Sequence, residues 1–317
     1  MAEMSALARY AAKKLLIGIP VVVLVSLLLF LIMKQVPSDP IRMIAGDRVT
    51  KATVAALERS WGLDQPLYIQ FFYWFAKMVT GNFGYSFVTR EPVSLLIWGR
   101  LPYTLELTLP SLVLSYIVGV PLGVIAALGR GKSRDYLAMG VSNFFYSMPT
   151  YWLGLMLSLV FGLYLRWFPI SGTNGGLSSL VLPILTLTLP PIAYSARIAR
   201  TEMIETLGED YIKTAEAKGL SSSRVVMKHA LRNSIVPVTV MFFLSFPWII
   251  GGAVIVETVF AWPGMGQLLY RSIIQLDYPV IQAIVLIIAI LVVLCNILGD
   301  IVAATLDPRI RIEREGP

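Results

Sequence analysis

Residues 15–33 form a run of 19 without a single charged side chain. Coiled as a helix, such a run is about 28 Å long and crosses the hydrocarbon core of a bilayer. Residues 279–299 are a second run of the same kind. Within hydrocarbon every backbone N–H and C=O needs a partner inside the protein, which leaves helices or closed barrels, and continuous apolar runs of this length read as helices. The rest of the chain agrees. Of its 317 residues 14% are charged and 56% hydrophobic, with a mean hydropathy of +0.73, where a soluble domain carries about 25% charge. The fold class is an all-α polytopic membrane protein.

Further apolar spans cover 104–128, 137–165, 177–196, 235–259 and 279–304, which with the first makes six transmembrane helices. The first follows Arg9, Lys13 and Lys14 and imitates a signal peptide. Its apolar core exceeds the usual length of about 7 to 15 residues and no small-x-small site precedes Lys34, so an uncleaved helix is expected. Glycine and proline recur in the spans (Pro110, Gly119, Pro121, Gly123; Pro183, Pro190, Pro191; Pro247, Gly251, Gly252). Small residues let helices approach closely, and kinks suit a bundle that moves. The chain divides into residues 1–34, an insert at 35–100 between helices 1 and 2, a five-span core over 101–310 and a tail at 311–317. Within the insert, Pro37, Asp39 and Pro40 make a turn. Thr50 or Thr53 caps a short helix through Arg59, with Val54, Leu57 and Trp61 at helical spacing. The aromatic segment 68–78 (Phe71, Phe72, Tyr73, Trp74, Phe75) suits a membrane-interface helix or a packed surface subdomain.

Positive charge orients the spans. One side holds Arg9, Lys13 and Lys14, then Arg130, Lys132 and Arg134, seven residues from Arg197 to Arg232, and Arg309, Arg311 and Arg314. The short loops opposite hold Arg166 and Arg271. By the positive-inside rule both termini and the loop at 197–234 are cytoplasmic, and the insert is extracytoplasmic. The net charge of +7 therefore reflects loop placement against membrane lipid, and no nucleic-acid partner is expected. The single Cys295 lies in the last span and forms no internal disulfide.

Residues 209–237 are the polar exception. A helix over 201–218 leaves the fourth span with Met203, Leu207, Tyr211 and Ala215 on one stripe, and Glu209 four residues before Lys213. Gly219 stops it as a C-terminal cap, and Ser221, Ser222 or Ser223 caps the next helix. That second helix carries Arg224, Lys228 and Arg232 as a basic stripe, with Val225, Val226 and Leu231 elsewhere on its surface. Two short helices joined by glycine make a compact knob fit for docking a partner; lying on anionic headgroups fits the same basic stripe.

Chemistry of the chain's own is absent. Gly131-Lys132-Ser133 lacks the earlier glycine of a phosphate-binding loop, since Ala126 stands there, so ATP hydrolysis by that route is excluded. Gly264-Met265-Gly266 is a tight turn without the rest of a dinucleotide fingerprint. His229 is the only histidine, which leaves no His-based metal cluster and no Ser-His-Asp triad. No cofactor and no metal are expected. Glu106, Glu257 and Asp300 lie in or at the ends of spans, where hydration or helix-end pairing accounts for them. Asn143, Tyr146, Ser147 and Thr150 in the third span are translocation-path candidates; helix–helix hydrogen bonding explains them as well.

At DYIKTAEAKGL, followed by KHALRNSIVP, the chain resembles the membrane permeases of binding-protein-dependent ABC importers, in the dipeptide, oligopeptide and nickel branch. The broad family pattern, Glu-Ala-Ala then three residues then Gly, is kept only at Ala215 and Gly219, and Arg232 stands where proline is usual. The branch version is Ala217-Lys218-Gly219-Leu220 with His229 to Asn233. Leu63 to Leu67, Gly81-Asn82-Phe83-Gly84 with Ser86, Leu101-Pro102, Glu257 to Phe260 and Trp262 to Gly266 also look like branch members. The resemblance implies that Asp210, Tyr211, Thr214, Ala215, Glu216, Ala217, Lys218, Gly219 and Leu220 dock into a groove on an ATPase subunit. It further implies a prokaryotic inner membrane, a homologous second permease, two ATPase subunits that bind ATP and Mg, and an extracytoplasmic substrate-binding protein. Peptide is the implied cargo, with nickel chelates or oligosaccharides as alternatives. A self-sufficient carrier driven by an ion gradient is the rival class; it needs ionisable groups near the midplane, and the central parts of the spans have none.

Overall fold

The computed structural model describes residues 2–35 and 64–306, with side chains from Arg9 onward. Among the described residues the structure is helical, with one isolated bridge between Tyr85 and Pro92. The expected turn at Pro37–Pro40, the Thr50 or Thr53 helix with Trp61, and the Arg309–Arg314 cluster lie outside the described residues.

Among the described residues four helices are long and apolar enough to cross a membrane: α1 (Ala2–Gln35), α3 (Val93–Leu128), α6 (Ser178–Gly208) and α12 (Tyr278–Leu306). The two remaining spans are broken. The third, expected as one helix over 137–165, is α4 (Ser133–Tyr146) followed by α5 (Thr150–Leu157) and a π-helical turn (Ser158–Tyr164), bent by 96°. Pro149 is the cause: it has no N–H for the Phe145 carbonyl, and it disfavours helical backbone at Met148. The fifth, expected over 235–259 with a kink at Pro247, is α9 (Leu231–Leu244) and α10 (Phe246–Val259), bent by 44°. Pro247 there leaves the Phe243 carbonyl without its i→i−4 donor. Six spans result when each bent pair counts as one.

The chain forms two compact units, one of residues 1–15, 103–267 and 294–317, the other of 16–102 and 268–293. In the larger unit α3 meets α6 through small residues spaced by four. Ser111 donates to the Ile184 carbonyl (3.3 Å), and the Ser115 carbonyl accepts from Ser195 (2.8 Å). A Cβ on Gly119 would stand 2.8 Å from the Ile192 carbonyl oxygen, and one on Gly123 would stand 2.8 Å from the Ala199 Cβ. Backbones this close need the missing side chains. A core of Leu107, Leu182, Leu187, Val256, Phe260 and Trp262 fills one end of this unit.

In the smaller unit the aromatic segment is α2 (Leu67–Val79), started by Pro66. Phe71 and Met78 are buried while Tyr68, Phe72 and Tyr73 are exposed, so one face packs and the other faces out. Phe30 of α1 meets Phe71 edge-on at 5.7 Å between ring centroids, and Trp74 donates its indole N–H to Gln282 (2.9 Å). The buried Asp277 carboxylate accepts from the Ser86 hydroxyl and from the Phe87 N–H, pinning the Gly81–Pro92 loop just before α12.

The span carboxylates divide by role. Asp300 pairs with Lys14 at 2.5 Å, and Glu106 is exposed on α3. Glu257, fully buried, closes a turn: its carboxylate accepts from Thr104 (2.6 Å) and from the Gln267 N–H (2.9 Å) at the start of α11 (Met265–Ile274). An anion at a helix N-terminus satisfies donors that no helical carbonyl can reach. The turn at Gly264 to Gly266 is thus a buried cap for which Glu257 is the counterpart.

Candidate functional site

The polar stretch after the fourth span begins differently from its expected form. In place of one helix over 201–218, α6 ends at Gly208, Glu209 is extended (φ −69°, ψ 147°), and α7 (Asp210–Ala217) starts afresh. The break turns the register. Ile212 and Ala215 are buried, whereas Tyr211, expected on the apolar stripe, is exposed and its hydroxyl accepts from Asn233 (2.7 Å). Lys213 pairs with Asp210 at 2.8 Å rather than with Glu209. Gly219 does end the helix, at φ +79°. Its N–H bonds to the Glu216 carbonyl (2.9 Å) and the Leu220 N–H to that of Ala215 (3.4 Å), the paired bonds of a left-handed C-terminal cap.

Ser221 holds the N-cap position of the next element with no side-chain cap bond. That element is α8 (Ser222–Arg224), a π-helical turn (Val225–Ala230) and α9. A π turn stacks residues five apart, which keeps Val225 and Ala230 both buried on one face. Arg224, Lys228 and Arg232 remain exposed. The underside of the knob is one apolar cluster: Ile212, Ala215, Val225 and Ala230 with Met203 of α6 and Ala127 of α3. Asp210, Thr214, Glu216, Ala217, Lys218 and Gly219 stand exposed on the outside, and Leu220 is half-buried against the cluster.

Beside the knob, α4 is clamped to α6. Arg200 donates through Nε and Nη2 to the two oxygens of Asp135, each at 2.7 Å, and the Gly131 N–H adds a third bond at 3.0 Å. Asp135 is 5% exposed. A bidentate pair fixes orientation as well as distance. Its partners are 65 residues apart, and no local pattern pairs them, so sequence reading did not find the clamp.

Within the larger unit, a cavity of about 370 Å³ opens where α4 and α5 break, lined by those helices, α6 and the α9–α10 bend. Of the four translocation-path candidates, Tyr146 and Thr150 line it; Asn143 and Ser147 are exposed, with the Ser147 hydroxyl bonded to the Asn143 carbonyl (2.9 Å). Pro190, Pro191, Tyr194, Ser245 and Trp248 complete much of the wall. The double proline in the fourth span and proline in the third and fifth were the available signal. Among the described residues no group of acids, histidines or cysteines is placed to hold a metal.

Comparison with known proteins follows the same lines. Residues 119–312 match the family described as binding-protein-dependent transport system inner membrane component, and residues 7–108 match the N-terminal part of such membrane components. The glutathione transport system permease protein GsiC of Escherichia coli (strain K12) is 41% identical over 302 residues, which is 95% of this chain and 98% of that one. The GsiC protein of Shigella dysenteriae serotype 1 is equally similar. Among solved structures, the inward-facing MetNI methionine ABC transporter is similar with a TM-score of 0.59 at 21% identity, covering 68% of this chain and 99% of that chain. An amino acid ABC transporter gives a TM-score of 0.52 at 15% identity, with 68% and 94% covered. At these identities the structural likeness is one of fold.

Proposed function

The chain belongs to the inner-membrane components of binding-protein-dependent transport systems, and from that premise we propose that it forms half of a peptide pathway driven through the α7–Gly219–α8 knob. It is a multi-pass permease subunit of an ABC importer and carries no catalytic centre of its own. Such permeases in general work with a second permease, ATPase subunits and a substrate-binding protein. For this chain the proposed set is a homologous permease, two ATPases that hold ATP and Mg, and an extracytoplasmic binding protein. Both termini and the knob face the cytoplasm, as the positive charges favour.

One observation carries the coupling role. The knob presents its polar face outward while its apolar face is fused to the ends of α3 and α6. A load applied to Asp210–Leu220 therefore moves α6, and the Asp135–Arg200 clamp takes α4 with it. Those two helices carry Pro190, Pro191 and Tyr146 at the cavity. ATP binding shifts the pathway only as far as its affinity differs between the two states, about 5.5 kcal/mol for a near-complete switch. Peptide as cargo rests on the 41% identity to a permease for glutathione, itself a peptide.

Reconstitution tests the reading. In proteoliposomes holding the complete importer, uptake of labelled peptide is expected to need ATP on the knob side and the binding protein on the other. Uptake by this chain with no ATPase subunit, driven by an ionic gradient, would overturn it.

A further inference from the structure

The cavity wall contains no Asp, Glu, Lys, Arg or His. One cation stands at its rim. Arg197 lies one helical turn past the cavity-lining Tyr194, and its guanidinium sits 5.4 Å from the ring centroid of Tyr146, which also lines the cavity. It is exposed, and among the described residues it has no hydrogen bond and no ion pair. Three residues on, Arg200 has both its forks filled by Asp135. Two arginines thus share one helix, and only the one beside the cavity lacks an anion.

Acceptors lie further along the same wall. Pro190 and Pro191 have no N–H, so the carbonyls of Thr186 and Leu187 lose their i→i−4 donors, and both residues line the cavity. Carbonyls freed in this way within a continuous helix persist in a membrane where they face a cavity or are re-satisfied there. From Thr186 to Arg197 is about 16 Å of helix, and Arg197 reaches back towards Tyr146. An extended peptide of three or four residues spans roughly 10 to 14 Å. The helix segment is slightly longer than such a peptide, and the Arg197 side chain, turned back to Tyr146, shortens the gap; the two ends agree in polarity.

Building on the peptide-permease reading, we propose that Arg197 recognises the terminal carboxylate of a short peptide in this cavity, while the freed carbonyls of Thr186 and Leu187 take its N–H donors. The Tyr146 ring holds the guanidinium at the rim until the carboxylate replaces it, because a charge-assisted bidentate contact is stronger than a ring face. Specificity then has a second reader in the permease itself, downstream of the binding protein.

The test uses the complete importer in nanodiscs, without nucleotide or binding protein. Tri-alanine and tri-alanine amide are the probes, measured by equilibrium binding. The acid is expected to bind about tenfold more tightly than the amide; Arg197→Gln should erase that preference and Arg197→Lys should keep part of it. No preference in the unaltered protein, absence of binding by either probe, or an equal loss for both peptides on Arg197→Gln overturns the proposal. So does a preference that follows the anionic lipid content of the disc, which would make Arg197 a headgroup anchor. Binding-protein-dependent, ATP-driven peptide uptake by the same preparation separates the failures. If uptake persists while acid and amide bind alike, only the role of Arg197 falls; if there is no such uptake, the peptide-permease reading falls with it.

Discussion

Two glycine turns in this chain look alike in sequence and answer to different physics. Gly219 ends α7 with φ +79° and has nothing within 4 Å of where a Cβ would stand. Gly264 and Gly266 have no such room. A Cβ on Gly264 would fall on the Glu257 carboxylate, and one on Gly266 would stand 2.5 Å from the Val254 Cα. At the first turn glycine is required by backbone conformation and at the second by space. The first is left open on a surface that we assign to a partner; the second is closed around a buried anion. The open turn therefore tolerates size and resists a change of backbone, while the closed turn does the opposite.

Substitutions that separate size from conformation break or sharpen this contrast. The largest effect is expected at the buried turn. Gly266→Val meets backbone, which cannot move aside as a side chain can, and should cost at least about 3 kcal/mol. Loss of monodisperse protein on detergent extraction, or a fall in its unfolding temperature, would show it; a stable Gly266→Val would mean that the turn is looser than its contacts. Glu257→Ala comes next. It leaves the Thr104 hydroxyl and the Gln267 N–H without their buried acceptor, at about 1–3 kcal/mol each, while Glu257→Gln keeps the shape and should lose less. Thermal unfolding of the two variants side by side measures the difference.

At the open turn Gly219→Val should cost about 2 kcal/mol or less, because a left-handed residue with a Cβ is strained and nothing else is. Membrane insertion should survive and the ratio of uptake to ATP hydrolysis should fall. Gly219→Asn, which adopts that conformation more readily, should restore most of the ratio. If Asn and Val behave alike, size matters at the knob and the contrast fails. Smallest of all is Lys213→Ala. Its pair with Asp210 is solvent-exposed on both sides (66% and 96%), so no stability change is expected, and any loss of uptake would report on docking alone.

Particular residues show how far local reading reached. The uncharged run at 15–33 required a spanning helix, because hydrocarbon offers no other partner to the backbone, and α1 is that helix. Gly219 announced a helix end, and the cap is there. Glu209 announced nothing: it is a good helix former, yet the chain is extended at that point, and the tertiary fit of Ile212 and Ala215 into the α3–α6 cluster overrides its preference. Pro247 in the fifth span promised a kink without its angle, since proline removes a hydrogen bond but neighbouring helices decide where the freed segment goes.

What the amino-acid order determined by itself was membrane class, the apolar spans and the polar knob, because these follow from local hydrophobicity, charge and backbone chemistry. The tertiary structure alone decided which residues meet across long stretches of chain. Asp135 finds Arg200, Glu257 finds Thr104, and the knob finds the ends of α3 and α6. Each of these is a pairing of side chains held by packed helices, and no spacing along the chain encodes it. The cavity belongs to the same class: Tyr146 and Thr150 were legible as polar residues in a span, but only the 96° break turned them towards Pro190 and Trp248.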